Sequence, residues 1–356
     1  MRLSQKDYKR IVVKIGSSLL YSDDARIDCF FLKEIARQIS ELAREHVEVV
    51  IVSSGAIALG MRALKLKNRP KELSFLQAAA AVGQHELMQI YQRSFEEYQL
   101  NCAQLLLTWD DFDNRKRYLN AKNTLLTLLD LKTVPVINEN DTVSTEEIRF
   151  GDNDRLSALV STLINARLLL ILSDIDGLMD KEKKQVIKVV DRITPQIKSL
   201  ACPTTRKTCV GGMVTKLEAA RITTHSGIPC VIANGRKKDI IISAVNDPNG
   251  CGTLFFPQKE YLAEKKRWLA FSAKPKGKII VDNGAKEALM NKKSLLSVGI
   301  IAVEGDFAAG DIVGIKDKEN HEFARGKVKI SSAKLDTVKG LRFEKEVVHR
   351  NDIVVF

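Results

Sequence analysis

Two textures divide this chain and predict its fold class: a three-layer α/β/α sandwich with a mostly parallel central sheet, then a small β-rich module. Up to residue 258, short apolar runs such as RIVVKIG, VEVVIVSSG and RLLLILSD alternate with helix-length amphipathic stretches. Each run is apolar throughout instead of alternating with polar residues. That is the signature of a strand covered on both faces, and covered strands separated by helices make a parallel sheet. Beyond residue 276 the pattern becomes short strands punctuated by glycine, as in VGIIAVEGDFAAGDIVGIKD. At ~150 residues per domain, a chain of 356 residues also fits about two domains.

The elements follow in order. Arg10–Gly16 (RIVVKIG) reads as a buried strand ending in the turn Gly16-Ser17-Ser18. A helical period runs from Asp28 to His46, and a second apolar strand leads to Ser53-Ser54-Gly55-Ala56. Residues 74–98 form a long helix whose alanine-rich centre (Ala78 to Ala81) permits close packing. CAQLLLT (102–108) is the next strand, Asn114 to Leu131 the next helix, and VPVIN (134–138) the strand after it. A helix opening at Asp154, the strand RLLLILSD (167–174), a helix over 213–226, the strand IPCVIAN (228–234) and GTLFFP (252–257) complete this part. Residues 259–275 are strongly charged and lead into Lys-Pro-Lys-Gly, the composition of a linker. The expected division is therefore a domain over 1–258, a linker over 259–275 and a β-rich domain over 276–356.

Composition narrows the class. The hydrophobic fraction of 45% belongs to an ordinary globular protein. No apolar run approaches the ~20 residues of a membrane span, and the N-terminus lacks a signal-peptide stretch, so the cytoplasm is the expected compartment and no membrane partner is expected. The six cysteines (29, 102, 202, 209, 230, 251) have no CxxC spacing and read as reduced, mostly buried side chains. Net charge is +12. From Lys259 onward 20 Lys+Arg face 14 Asp+Glu, and the preceding 258 residues hold 36 against 30, so each part carries +6. This excess suits nucleic acid and small anions such as ATP equally.

The chemistry concentrates at element ends. The strand Val134–Ile137 breaks into Asn138, Glu139, Asn140 and Asp141, and Gly151-Asp152-Asn153-Asp154 opens the following helix. One such residue is explained as a helix cap; two dense clusters exceed what capping needs, and open α/β sheets bind ligands at these ends. Lys14 lies inside an apolar strand, where an ammonium either finds a partner or snorkels to water. Ser54 serves equally as a cap or as a ligand contact. Ser173-Asp174 closes the 167–174 strand. GxxxxGK[ST] is absent and no GxGxxG follows the first strand, but Gly211-Gly212-Met213 ahead of Lys216 offers backbone N–H groups at a helix N-terminus, a weak anion-site signal on its own. The histidines (46, 85, 225, 321, 349) show neither triad nor metal-ligand spacing.

Taken together, VVKIGSS, IVSSGAIALG, AAVGQ, INEND, FGDNDRLSA, LLILSDIDGL and GGMVTK resemble, in order and over residues 9–257, the glutamate-phosphorylating branch of the amino acid kinase family. The C-terminal part resembles the PUA module. The resemblance implies the amino acid kinase fold and ATP-dependent phosphorylation of the γ-carboxylate of L-glutamate, on the route to proline. By the same resemblance Lys14 and Lys216 contact phosphates and Asp154 organises them. Ser54, Asp141 and Asn153 bind glutamate. Lys14, Ser173, Asp174, Val210, Gly211, Gly212, Met213, Val214, Thr215 and Lys216 bind the nucleotide. It further implies Mg²⁺ carried on the phosphates without a protein metal site, proline as feedback inhibitor, a homodimer or homotetramer, and hand-off of the product to glutamyl phosphate reductase. The chain departs from the family where Ser173-Asp174 replaces Thr-Asp, where Cys209-Val210 precede the glycine pair, and in a short stretch over 178–188.

The chemistry is consistent with this residue set. A γ-carboxylate is ionised at pH 7, its unperturbed pKa being about 4.3, so the reaction requires no general base. It requires relief of charge repulsion and stabilisation of the transferring phosphoryl. The alternatives are another kinase of the same fold, acting on carbamate, aspartate, acetylglutamate or UMP; a degenerate regulatory domain; and an RNA-binding protein acting through the C-terminal module. Asp141 and Asn153 match a free amino group, which acetylglutamate lacks. Both lysines are present, against a degenerate domain. The C-terminal part is poor in the aromatics that stack bases.

Overall fold

The structure is a computed structural model and describes residues 9–21, 27–143, 153–180, 182, 184–201, 212–258, 261–343 and 345–355. The chain divides into two compact units, residues 1–111 with 116–261, and residues 112–115 with 262–356.

The first unit alternates strands and helices. In chain order these are β1 (Arg10–Ile15), α1 (Cys29–Arg44), β2 (Glu48–Ser53), α2 (Ala56–Ala63), α3 (Leu73–Glu96) and β3 (Asn101–Leu107). They continue with α4 (Trp109–Asp113), α5 (Arg115–Asp130), β4 (Thr133–Glu139), α6 (Asn153–Leu163) and β5 (Leu168–Ser173). Three two-residue strands follow, β6 (Met179–Asp180), β7 (Gln185–Val186) and β8 (Val189–Val190), with β6 and β7 pairing as a hairpin. Then come α7 (Pro195–Ser199), α8 (Met213–His225), β9 (Cys230–Asn234), α9 (Ile240–Asn246) and β10 (Gly252–Phe255). The long helices expected from periodicity lie within two residues of their expected limits. The eight-residue α2 is shorter than the window over which a 3.6 period can be read.

Among the described residues, eight strands form one sheet in the order β3-β4-β2-β1-β5-β9-β10-β8. Every pair from β3 to β9 is parallel, while β10 runs antiparallel to β9 and β8 runs parallel to β10. The seven-residue α9 spans about 10 Å. That is shorter than the ~17 Å return along a five-residue strand, so the chain re-enters the sheet from the end it left.

Strand alternation sorts the side chains. Ile11, Val13 and Ile15 join Val49, Ile51, Leu168, Leu170 and Leu172 in a core with α1, α3 and α9. Val12 and Lys14 then point to the opposite face, which α6 and α8 cover. This alternation places the Lys14 ammonium beside the N-terminus of α6.

The second unit begins with α10 (Glu264–Arg267), which continues as a π-helical turn over Trp268–Ser272. The stretch read as a linker thus contains a turn with Leu269, Ala270 and Phe271 buried. Trp268 Nε1 donates to the Phe112 carbonyl at 2.8 Å, and Arg325 donates to the carbonyls of Ala270 and Ala273. Then follow β11 (Gly277–Val281), α11 (Asn283–Met290), β12 (Ile300–Glu304), β13 (Ile312–Lys316), β14 (Glu322–Val328), α12 (Ser332–Val338) and β15 (Val348–Val355). The strands pair in the order β12-β11-β13-β14-β15 over a separate core that includes Ile279, Val281, Leu289, Ile315, Val328 and Val348. Among the described residues, no helix is long and apolar enough to cross a membrane.

Candidate active site

The C-terminal ends of β1, β2, β4 and β5 and the N-termini of α6 and α8 carry a dense set of buried polar side chains. Asp154, in the first turn of α6, is 1% exposed. Its Oδ1 lies 2.7 Å from Lys14 Nζ and its Oδ2 lies 3.0 Å from Lys216 Nζ. Thr215 Oγ1 sits 2.8 Å from the same Oδ2. One carboxylate therefore holds two ammonium groups, one from a strand end and one from the first turn of α8. Burial alone would push the Asp154 pKa up; the charges of Lys14 and Lys216 outweigh it and hold the carboxyl well below the usual range.

The start of α8 is organised around the same point. Gly212, the N-cap of α8, is extended, with φ −144° and ψ −169°. Its N–H donates to Thr215 Oγ1 at 3.3 Å, and the Thr215 hydroxyl lies 2.8 Å from the Gly212 carbonyl. A helix N-terminus presents unpaired N–H groups and the positive end of the dipole, which suits an anion. With Lys14 and Lys216 alongside, this end of the site is built for phosphate-like charge.

A chain of amides leads away from the ammonium pair. The Asn153 amide nitrogen lies 2.9 Å from Ser54 Oγ, 2.8 Å from the Ser53 carbonyl and 2.8 Å from Asn138 Oδ1. Asn138 Oδ1 also accepts from the Glu139 backbone N–H, and Asn138 Nδ2 donates to Gln84 Oε1 at 2.8 Å. Gln84 belongs to α3, which is locked against α2: a Cβ on Gly83 would stand 1.8 Å from the Ala56 carbonyl oxygen. Behind the β2 end, the Ser53 hydroxyl pairs with the Tyr91 hydroxyl at 2.9 Å.

Among the residues named from sequence, Lys14, Asn153, Asp154, Thr215, Lys216 and Ser54 come together in one connected network, with Gly212, Met213 and Val214 at the same helix start. Ser173 ends β5 with its hydroxyl 3.2 Å from Asp174 Oδ1, and its carbonyl accepts from Gly235 N–H at the β9 exit. Asp141 follows β4, is half-buried, and lies close enough to Arg69 to offset part of the drop that burial imposes on that guanidinium. Val210, Gly211 and Asp152 lie outside the described residues. Gln84, Asn138, Ser53 and Tyr91 take part without a role assigned from sequence. Asn138 was visible within the polar cluster at the end of β4. Gln84 closes the AAVGQ run, but nothing in its helical spacing separates it from a surface amide.

Comparison with known proteins covers both parts of the chain. The model of the amino acid kinase family matches residues 9–234, and the PUA domain model matches residues 277–350. The chain is 43% identical to a glutamate 5-kinase of Caldanaerobacter subterraneus subsp. tengcongensis, over 97% of each chain. It is 44% identical to one of Citrifermentans bemidjiense, over 98% of each. It is also 41% identical to one of Dehalococcoides mccartyi, covering 99% of this chain and 100% of that one.

Proposed function

Because the chain belongs to the amino acid kinase family, we propose that it transfers the γ-phosphoryl group of ATP to the γ-carboxylate of L-glutamate, yielding L-glutamyl 5-phosphate for proline biosynthesis. The observation that carries the reading is the pairing of Lys14 and Lys216 on the buried carboxylate of Asp154, beside the Ser54–Asn153 contact.

The mechanism follows from charge. The acceptor carboxylate is already a nucleophile at pH 7 and needs no deprotonation. Transfer is direct and in line. Lys14 and Lys216 neutralise the repulsion between two anions and the charge spread over the transferring phosphoryl, where preorganised cations act most strongly. Asp154 acts as the positioning residue that keeps both ammonium groups on one side of the site. The α8 N-terminus, from the Gly211-Gly212 pair to Lys216, cradles the nucleotide phosphates, with Ser173 and Asp174 bordering it. Ser54, Asp141 and Asn153 hold the amino acid.

Both oxygens of Asp154 are engaged by Lys14, Lys216 and Thr215, so this carboxylate is poorly suited as a metal ligand. That fits Mg²⁺ carried by the nucleotide phosphates with its own waters. When bound, the ion neutralises phosphate charge. Further parts of this reading are a cytoplasmic location, a homodimer or homotetramer, proline competing at the amino acid site, and passage of the labile acyl phosphate to a reductase. Incubation with ATP, Mg²⁺, L-glutamate and hydroxylamine tests the reading. Glutamyl hydroxamate should accumulate, and proline should raise the apparent KM for glutamate. No hydroxamate above background would sink the kinase assignment.

A further inference from the structure

The chain of amides that leaves the ammonium pair ends in a donor that has no partner among the described residues. Gln84 is 8% exposed, and its Nε2 is buried without a hydrogen-bond partner among the described residues. An unpaired buried donor carries a desolvation penalty, so its presence calls for a reason. A flipped amide does not remove the problem. The Glu139 backbone N–H can only donate, which makes the Asn138 atom facing it the oxygen and turns Nδ2 toward Gln84. Gln84 must then accept through Oε1, which leaves Nε2 as the free end of the relay.

The relay also gives the free end a direction relative to the chemistry. Lys14 and Lys216 meet Asp154; the neighbouring Asn153 meets Ser54 and Asn138; Asn138 meets Gln84. Gln84 therefore stands at the opposite end of the network from the phosphate-binding lysines. The interlock of Gly83 against Ala56 and of Gly60 against Ala79 leaves α3 no room to slide and pair the amide elsewhere.

We infer that Gln84 Nε2 donates to the α-carboxylate of the bound amino acid and so selects substrates carrying an anionic acceptor there. This rests on the proposed reaction. The γ-carboxylate meets the lysines, and the α-carboxylate lies at the other end of the same molecule, where a donor-only group discriminates carboxylate from carboxamide. A site built to hydrogen-bond one group rejects the analogue that cannot reciprocate.

The test compares two acceptors with the same γ-carboxylate, L-glutamate and L-isoglutamine, whose α-carboxylate is a carboxamide. In Gln84→Glu one carboxylate oxygen still accepts from Asn138 Nδ2, while the other replaces the donor with an acceptor. The wild type should favour glutamate. In Gln84→Glu the ratio of kcat/KM for glutamate to that for isoglutamine should fall by about ten- to a hundred-fold, the range of one hydrogen bond to a charged group. The KM for ATP should not change. Gln84→Met, which neither donates nor accepts there, should weaken glutamate without improving isoglutamine. An unchanged acceptor ratio in Gln84→Glu, or equal loss of turnover on both acceptors, assigns Gln84 to structure alone and overturns the inference. Absence of hydroxamate from the wild type with glutamate would instead overturn the proposed reaction.

Discussion

Asp154 holds two ammonium groups in a site almost closed to water, and its effects are therefore one-sided. Both lysines are themselves nearly buried, each 7% exposed. Replacing Asp154 by Asn leaves two like charges facing one neutral amide, the situation in which breaking a buried pair costs about 3–5 kcal/mol. Asp154→Asn should lower the melting temperature and reduce turnover far more than it alters the KM for glutamate. The pH dependence has a definite sign. The folded pKa of Asp154 is depressed, so its stabilisation is complete above the unfolded value of about 3.9 and drains away as pH falls through the lower folded value. The stability gap between wild type and Asp154→Asn should stay flat from about pH 5 to 8 and narrow below about pH 4. A gap that closes between pH 5 and 7 in denaturant titrations would show that the carboxylate is not held as an ionised pair. Lys14 stood out in sequence because an ammonium in an apolar strand must either find a partner or snorkel to water, and the resemblance chose between the two. GDND as a cluster was legible because it holds more polar groups than a cap uses, and the resemblance singled out Asp154 within it. Gln84 was not, since only its approach to Asn138 across 54 positions distinguishes it.

The α2–α3 pair shows how an element sets the site without touching the reacting atoms. Gly55, at φ +104°, turns the chain from the β2 end into α2, and Gly60 and Gly83 let the two helices meet backbone to backbone. A Cβ on Gly60 would stand 1.7 Å from the Ala79 carbonyl oxygen. Helix propensity alone predicts that Gly83→Ala stabilises α3 by up to ~1 kcal/mol. The contact predicts the opposite sign, a loss of at least about 1–3 kcal/mol from overpacking. At ~2–4 °C per kcal/mol for a unit of this size, calorimetry resolves the two. Gly83→Ala should also raise the glutamate KM, because Ser54 precedes α2 and Gln84 follows Gly83. A variant as stable as the wild type would overturn the contact. Sequence foretold the alanine-rich centre of α3 and its close packing, but which glycines meet which carbonyls depends on the helix crossing. The direction of β10 was equally hidden, because an apolar run has no polarity. The turn Trp268–Ser272 hid behind Glu264, Lys265, Lys266 and Arg267, whose charge reads as linker while the next residues are buried.

At the scale of the whole chain, all the described residues assigned to the site belong to the first unit, and the second unit has a core of its own. The basic excess is shared, +6 before Lys259 and +6 from there on, so neither the kinase part nor the C-terminal part owns the charge. Separate cores predict separable stability, since a domain with its own core can in principle fold alone. The division is not clean in sequence, however. Residues 112–115 group with the second unit, where Phe112 is buried and its carbonyl accepts from Trp268. A chain ending at Tyr261 should therefore keep hydroxamate formation within roughly tenfold of the full chain, because the ammonium pair and the amide relay are intact. It should also melt at lower temperature and aggregate more readily, because Phe112 loses its cover. Adding Phe112→Ser to the shortened chain should relieve the aggregation without changing kcat. If the shortened chain stays folded by circular dichroism but forms no hydroxamate, the second unit supports the site, and the two units cannot be treated as independent.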